Sequence, residues 1–272
     1  MFPGASADRD TAEYVVVGAP LDVSTTFQPG ARFGPERVRR FARTFDDYDA
    51  RTGHHFSELA VHDHGDVRAW DDAAEYLEYL EGVATDAVWD DAVPLLLGGE
   101  HTVTLAGVRA VDPDVFVCLD AHLDLREEYD GNPLSHATVT RHALDVADEA
   151  VILGARTGSE AEYERASEAD VTVVPPEEVG NWDPDFDAET SVYLSVDIDA
   201  ADPGFAPGTG TMEPFGLTPR EMRDAVRAVA PRADGFDVVE VNDRDDGQAA
   251  TLAGKLCREF VFSHADATGS TS

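Results

Sequence analysis

The sequence predicts an α/β protein, a single three-layer αβα domain built on a parallel sheet, and two observations carry that prediction. Short β-branched or apolar runs recur along the chain without alternating apolar and polar residues, so each is expected to be covered on both faces. Each run is followed by a stretch with helical spacing, the pattern of a parallel sheet between helix layers.

The elements follow in chain order. YVVVGA (14–19) is the first strand, and Gly34-Pro35 opens a helix to about Phe45, with proline in its first turn. Asp71 or Asp72 caps a second helix running to about Trp89. PLLLGG (94–99), DVFVCLD (114–120), AVILGA (150–155), VTVVP (171–175) and SVYLSVDID (191–199) are the next strands. Thr218-Pro219-Arg220-Glu221 is a capping box that starts a helix to about Val229. GFDVVEV (235–241) is the last strand, and Gly247 precedes a final helix from roughly Gln248 to Phe262. No repeat, long linker or composition break divides the chain, so one domain is expected over 1–272, with frayed ends at 1–11 and 264–272.

At 272 residues and 43% hydrophobic the chain can bury a sizeable core. Its 55 Asp and Glu against 20 Lys and Arg leave a net charge of −35, which repels nucleic acid and anionic membrane. Acid pairs such as Asp71-Asp72, Glu127-Glu128 and Asp245-Asp246 are spread over the whole length, as expected of a halophilic surface adapted to very high salt. A lone carboxylate is therefore a poor clue. Since the Debye length falls to ~3 Å at 1 M salt, only carboxylates close to a bound cation can select it. Cys118 and Cys257 sit in apolar runs, which fits reduced thiols and a cytoplasmic location. No apolar run approaches the ~20 residues that span a bilayer, and MFPGASADRD has neither the basic flank nor the apolar core of a secretory signal.

Ligands of open α/β sheets bind beyond the carboxyl ends of the strands, and the polar clusters of this chain lie there. Taken singly, His101 reads as a satisfied histidine at a helix start. Asp120, His122 and Asp124, at i, i+2 and i+4, share one side of an extended chain and read equally as an acidic turn or a ligand set. Asp197 and Asp199 share a side across Ile198. Taken together, three strand ends converging on one crevice bury like charges that need a counter-cation. These two imidazoles and four carboxylates suffice for two divalent ions with shared carboxylates. Hard oxygen ligands with little nitrogen and no thiolate favour Mn²⁺, with Zn²⁺, Co²⁺ or Fe²⁺ as substitutes. A two-metal site generates hydroxide near neutral pH, so hydrolysis is the natural chemistry. By themselves His136 is an ordinary helix-start residue and Glu240 an ordinary charge near a strand end.

GAPLDVSTTFQPGARFGPERVR (18–39), GGEHTVT (98–104), DAHLDLR (120–126), SHATVTRH (135–142), SVDIDAADPGFAPGTG (195–210) and DVVEVN (237–242) resemble, in order and spacing, the signatures of the ureohydrolases, the arginase and agmatinase family. The likeness runs from about residue 14 to 262 and is strongest to the archaeal agmatinase-like branch. It implies an arginase-like, roughly eight-stranded sheet and two Mn²⁺ per subunit. One ion would be held by His101, Asp120, Asp124 and Asp197, the other by Asp120, His122, Asp197 and Asp199, with Asp120 and Asp197 bridging. It further implies attack of a metal-bridging hydroxide on a guanidinium carbon, giving urea and an amine. Asp124 would relay a proton to the leaving nitrogen, His136 would match the proton-shuttling histidine, and Glu240 would pair with the guanidinium. Since family members commonly assemble as trimers or hexamers, the resemblance also implies a homo-trimer or homo-hexamer here.

The chain departs from the family pattern at Glu100, where many members have Asp, and at Ser135-His136-Ala137, where many have His-Gly. Met212-Glu213-Pro214-Phe215-Gly216 replaces a common Pro-Glu-Pro-Gly-Gly, which bears on the substrate tail. The segment EEYDGNPL (127–134) holds no arginine or lysine for a carboxylate tail, which favours a small cationic guanidino substrate, agmatine first, yielding putrescine for polyamine biosynthesis. Arg126, Arg141 and Arg156 are the cations to locate in the fold. The rival readings are an arginase or a guanidino-acid or formimidoylglutamate hydrolase of the same family, a non-catalytic metal-binding homologue, and a one-zinc amide hydrolase of the deacetylase type. The paired DAHLD and DID sets speak against the last.

Overall fold

The computed structural model describes residues 1–187 and 189–269. Its elements in chain order are β1 (Tyr14–Ala19), α1 (Gly34–Phe41), β2 (Val61–Asp66), α2 (Ala73–Trp89), β3 (Val93–Gly98), α3 (Thr104–Val111), β4 (Val115–Leu119), α4 (Val139–Ala143), β5 (Glu149–Leu153), α5 (Glu160–Arg165), β6 (Val171–Val174), α6 (Pro176–Val179), β7 (Val192–Asp197), α7 (Pro219–Val229), β8 (Ala233–Val239) and α8 (Gln248–Thr268). All eight strands run parallel in the order β2-β1-β3-β8-β7-β4-β5-β6. β7 and β8, the last to be made, fill the space between β3 and β4.

Alternate residues of each strand feed opposite layers, as the two-residue period of a strand requires. Val16, Leu97, Val117 and Phe236 pack with Val38 of α1, Val226 of α7 and Phe260 of α8. Their neighbours Val17, Leu96, Phe116 and Tyr193 pack with Leu77 of α2, Leu105 of α3 and Val139 of α4. Every residue of β1, β4 and β7 is buried, which is why these runs show no polar alternation. The helix caps stand where they are expected. Asp72 accepts the Glu75 N–H at 3.0 Å, and Thr218 with Glu221 closes a capping box before Pro219.

Three features differ from the sequence expectation. The eighth strand, β2, has the polar sequence VHDHGD and hides from a search for apolar runs because it is an edge strand, pairing only with β1. Its buried Asp63 is matched by Arg39 of α1, with Nε to Oδ2 at 2.9 Å and Nη2 to Oδ1 at 2.8 Å. The segment 1–11, expected to fray, is tied down: Phe2 is buried against Phe56 and donates its N–H to Asp63. At the other end α8 continues past Phe262 to Thr268, and His264, expected in a frayed tail, meets the Tyr14 hydroxyl through Nδ1 at 2.8 Å. Residues 270–272 of that expected tail lie outside the described residues. Both cysteines are buried and free, and among the described residues no helix is long and apolar enough to cross a membrane.

Candidate active site

Four neighbouring strands, β3, β8, β7 and β4, deliver the site. Register sets their polar residues at one level: Leu119 pairs with Val196, Asp197 with Val239, and the Glu240 N–H donates to the Gly99 carbonyl at 2.8 Å. The chain beyond each strand then turns over the sheet edge. His101 starts a short 3-10 helix after β3, and Asp197 caps another after β7 by accepting the Asp199 N–H at 2.8 Å. Asp124 and Glu240 reach the site from left-handed backbone, with φ of 51° and 60°, a conformation that costs a non-glycine residue about 1–3 kcal/mol where the fold imposes it.

The structure brings all eight sequence-predicted residues, His101, Asp120, His122, Asp124, His136, Asp197, Asp199 and Glu240, to one edge of the sheet. All but Asp120 line a single cleft of about 210 Å³, and Asp120 lies directly beneath it. His101 Nδ1 is 3.2 Å from Asp120 Oδ2, 2.9 Å from Asp124 Oδ2 and 3.5 Å from Asp197 Oδ2. His122 Nδ1 is 3.5 Å from Asp120 Oδ1 and 3.0 Å from Asp199 Oδ2. Asp120 therefore turns one oxygen to each histidine.

Three carboxylate oxygens surround His101 Nδ1, yet this buried atom has no hydrogen-bond partner. A buried ring nitrogen without a partner calls for an explanation, and a cation at the common focus supplies one. The other ring nitrogen is fixed from behind. His101 Nε2 lies 3.3 Å from Ser195 Oγ, which donates to Asp237 Oδ1 at 2.6 Å, while Tyr193 donates to Oδ2 at 2.9 Å. With the serine hydrogen given to Asp237, Nε2 carries the ring proton and Nδ1 keeps its lone pair toward the carboxylates. Cys118 Sγ is 3.7 Å from Nε2 and 3.9 Å from Asp120 Oδ2, close enough to count with them among the possible metal donors, but burial pushes its thiol pKa up and favours the protonated form.

The electrostatics of the cluster reflect the same crowding. Burial and the neighbouring Asp120 push Asp124 up to about 7, and burial pushes Glu240 up to about 8. Asp197 is raised by burial and by Asp199 and Asp120. Burial works against ionised Asp120 too, but the adjacent His101 and His122 imidazoles hold it below the ordinary carboxylate range. Burial likewise opposes charge on His122, and Asp199 and Asp120 outweigh it and raise the imidazole. Protons here carry a charge balance that a divalent cation would supply equally.

The remaining cations sort themselves out. Arg156 is tied to backbone carbonyls, among them Asp199 at 2.9 Å and Glu213 at 2.7 Å, and is spent on the loop that follows β7. Arg141 pairs with exposed Glu127. Only Arg126 lines the cleft, paired to Glu162 at 3.1 Å and stacked over Tyr129. Of the segment 127–134, Tyr129 alone lines the cleft, and its ring meets His136 edge-on at 5.8 Å. Sequence reasoning missed Ser24, Ser195 and Asp237, and it noted Glu100 only as a departure. Each lies in a strand or loop where nothing local marks it.

The protein-family comparison matches residues 12–263 to the model described as "Arginase family". The chain belongs to the arginase family. This family member is 33% identical to an agmatinase of Halalkalibacterium halodurans, covering 96% of each chain. It is 34% identical to an N(1)-aminopropylagmatine ureohydrolase of Thermococcus kodakarensis, covering 92% of this chain and 90% of that one. Among solved structures it resembles an agmatine ureohydrolase of Thermoplasma volcanium with a TM-score of 0.93 and 31% identity, covering 98% of this chain and 95% of the other. The eight-stranded parallel sheet is thus the arginase-family fold.

Proposed function

We propose that this arginase-family enzyme hydrolyses a small cationic guanidino substrate, agmatine, to urea and putrescine, with two Mn²⁺ held at the carboxyl edge of the sheet. The observation that carries the reading is the unpartnered His101 Nδ1 among three carboxylate oxygens, next to an Asp120 shared with His122. His101, Asp120, Asp124 and Asp197 would hold one ion and Asp120, His122, Asp197 and Asp199 the other, all through hard oxygen and imidazole donors. When bound, such a pair supplies hydroxide near neutral pH.

The chain's own residues do the rest. Glu240 offers a carboxylate to the planar guanidinium fork, and its backbone is held by Gly99 while its Oε1 accepts the His101 N–H at 2.8 Å. His136 and Asp124 line the same cleft and move the proton that lets the amine leave. The Arg126–Glu162 pair and Tyr129 stand where the tail would pass. Arg126 is the one observation that favours a carboxylate tail, but Glu162 already neutralises it, which leaves a cationic tail the better fit.

A panel of agmatine, arginine, guanidinobutyrate and formimidoylglutamate, assayed with added Mn²⁺ in molar salt, tests the proposal. Urea from agmatine above the others is expected. Preference for another tail overturns the substrate, and no turnover of any of them overturns the function.

A further inference from the structure

The loop after β1 is fastened to the end of β3. Gly99 permits this, because a Cβ there would lie 1.9 Å from the Leu21 carbonyl oxygen. The Gly99 N–H donates to Ala19 at 2.7 Å and the Glu100 N–H to Leu21 at 2.8 Å. The Glu100 side chain is 0% exposed and folds back on the same loop. Its Oε2 accepts the Val23 and Ser24 N–H groups at 2.6 and 2.7 Å, and its Oε1 accepts the Ser24 and Thr102 hydroxyls, each at 3.0 Å.

Ser24 Oγ stands between this carboxylate and His136. It accepts the His136 backbone N–H at 3.0 Å and lies 3.2 Å from His136 Nδ1. A hydroxyl has one hydrogen and two lone pairs. The hydrogen goes to Glu100, one lone pair takes the backbone N–H, and the other faces Nδ1, so Nδ1 has to bring the proton.

We propose that Glu100, acting through Ser24, holds neutral His136 in its Nδ1–H tautomer and so leaves Nε2 as the ring nitrogen that exchanges protons with the substrate. Glu100 and Ser24 are positioning residues, and the inference rests on reading His136 as the proton carrier. The competing group is Ser135 Oγ, 3.3 Å from Nδ1. A proton donated from Ser135 would set the Nδ1 and Ser24 lone pairs against each other at 3.2 Å. Burial pushes His136 below its ordinary pKa, which favours the neutral ring.

The test is ¹⁵N NMR of histidine-labelled full-length protein loaded with diamagnetic Zn²⁺, with His136 assigned by the signal lost in His136→Gln. The expected result is a protonated Nδ1 and an unprotonated Nε2. Ser24→Ala keeps both backbone donors to Glu100 and removes only the hydroxyl. It should mix the tautomers and lower kcat about 10–100-fold, part of the ~10²–10⁴ a positioned acid–base group supplies, with KM and metal content unchanged. Ser24→Thr should restore both readouts. An Nε2–H tautomer in the wild type, or a Ser24→Ala protein with wild-type tautomer and kcat, overturns the proposal. The NMR measurement needs no substrate, so failure of the wild type to release urea would count against the function and leave the tautomer result to decide this inference.

Discussion

His101 and His136 face one cleft, and each is backed by a serine and a buried carboxylate, but the two assemblies point in opposite senses. Behind His101, Ser195 gives its hydrogen to Asp237 and meets Nε2, which leaves Nδ1 to the carboxylate cluster. Behind His136, Ser24 gives its hydrogen to Glu100 and meets Nδ1, which leaves Nε2. One device thus serves two ends. Whichever ring nitrogen the serine meets decides whether the free lone pair is buried among anions, as a metal ligand needs, or directed to a substrate, as a proton carrier needs.

The largest effect should come from removing what the His101 side depends on. Asp120→Ala deletes the carboxylate shared by His101 and His122 and should take metal content and urea release to background together. Full activity with both ions retained would break the assignment. On the His136 side, His136→Asn should lower kcat by ~10²–10⁴ while metal analysis still finds the wild-type content, and metal loss would erase the distinction between the two histidines. Asp237→Asn loosens the support behind His101 without touching the cleft. It should weaken metal affinity ~10–100-fold in a competition titration, against no change in affinity for Ser24→Ala.

The smallest effect is one of pH on the metal-free protein. Asp124, raised to about 7 by burial and Asp120, and Glu240, raised to about 8 by burial, bind protons more tightly folded than unfolded. Their contribution to stability is present at low pH and lost as pH climbs through 7 and 8, and the raised His122 works in the same direction. Thermal melts of metal-free protein should therefore show Tm falling from pH 6 to pH 9. The metal-loaded protein should lack this fall, because the ions take over the role of the protons.

Much of this was legible in the chain. Seven of the eight strands announce themselves as apolar runs because both of their faces are covered, and the Asp72 and Thr218 caps mark helix starts by chemistry that is local in sequence. β2 escaped since an edge strand needs fewer apolar residues, and the anchoring of Phe2 and His264 depends on partners 61 and 250 residues away. The ligand candidates were legible as polar residues just past the strand ends, but the extended spacing expected of them does not hold, since Asp124 has left-handed backbone and Asp199 lies in a 3-10 helix. Ser24, Glu100, Ser195 and Asp237 were not, because a supporting residue is defined by what folding places beside it. Glu100 and Ser24 are 76 residues apart and Ser195 and His101 are 94 apart.

The left-handed backbone at Glu240 places heat resistance and turnover in opposition at one residue. A glycine there would relax the strained φ of 60° and remove a buried carboxylate that resists ionisation, at the cost of one hydrogen bond from His101. If Glu240 holds the guanidinium as proposed, stability and turnover pull in opposite directions at this one position, because relieving the backbone and the buried charge would remove the group that binds substrate.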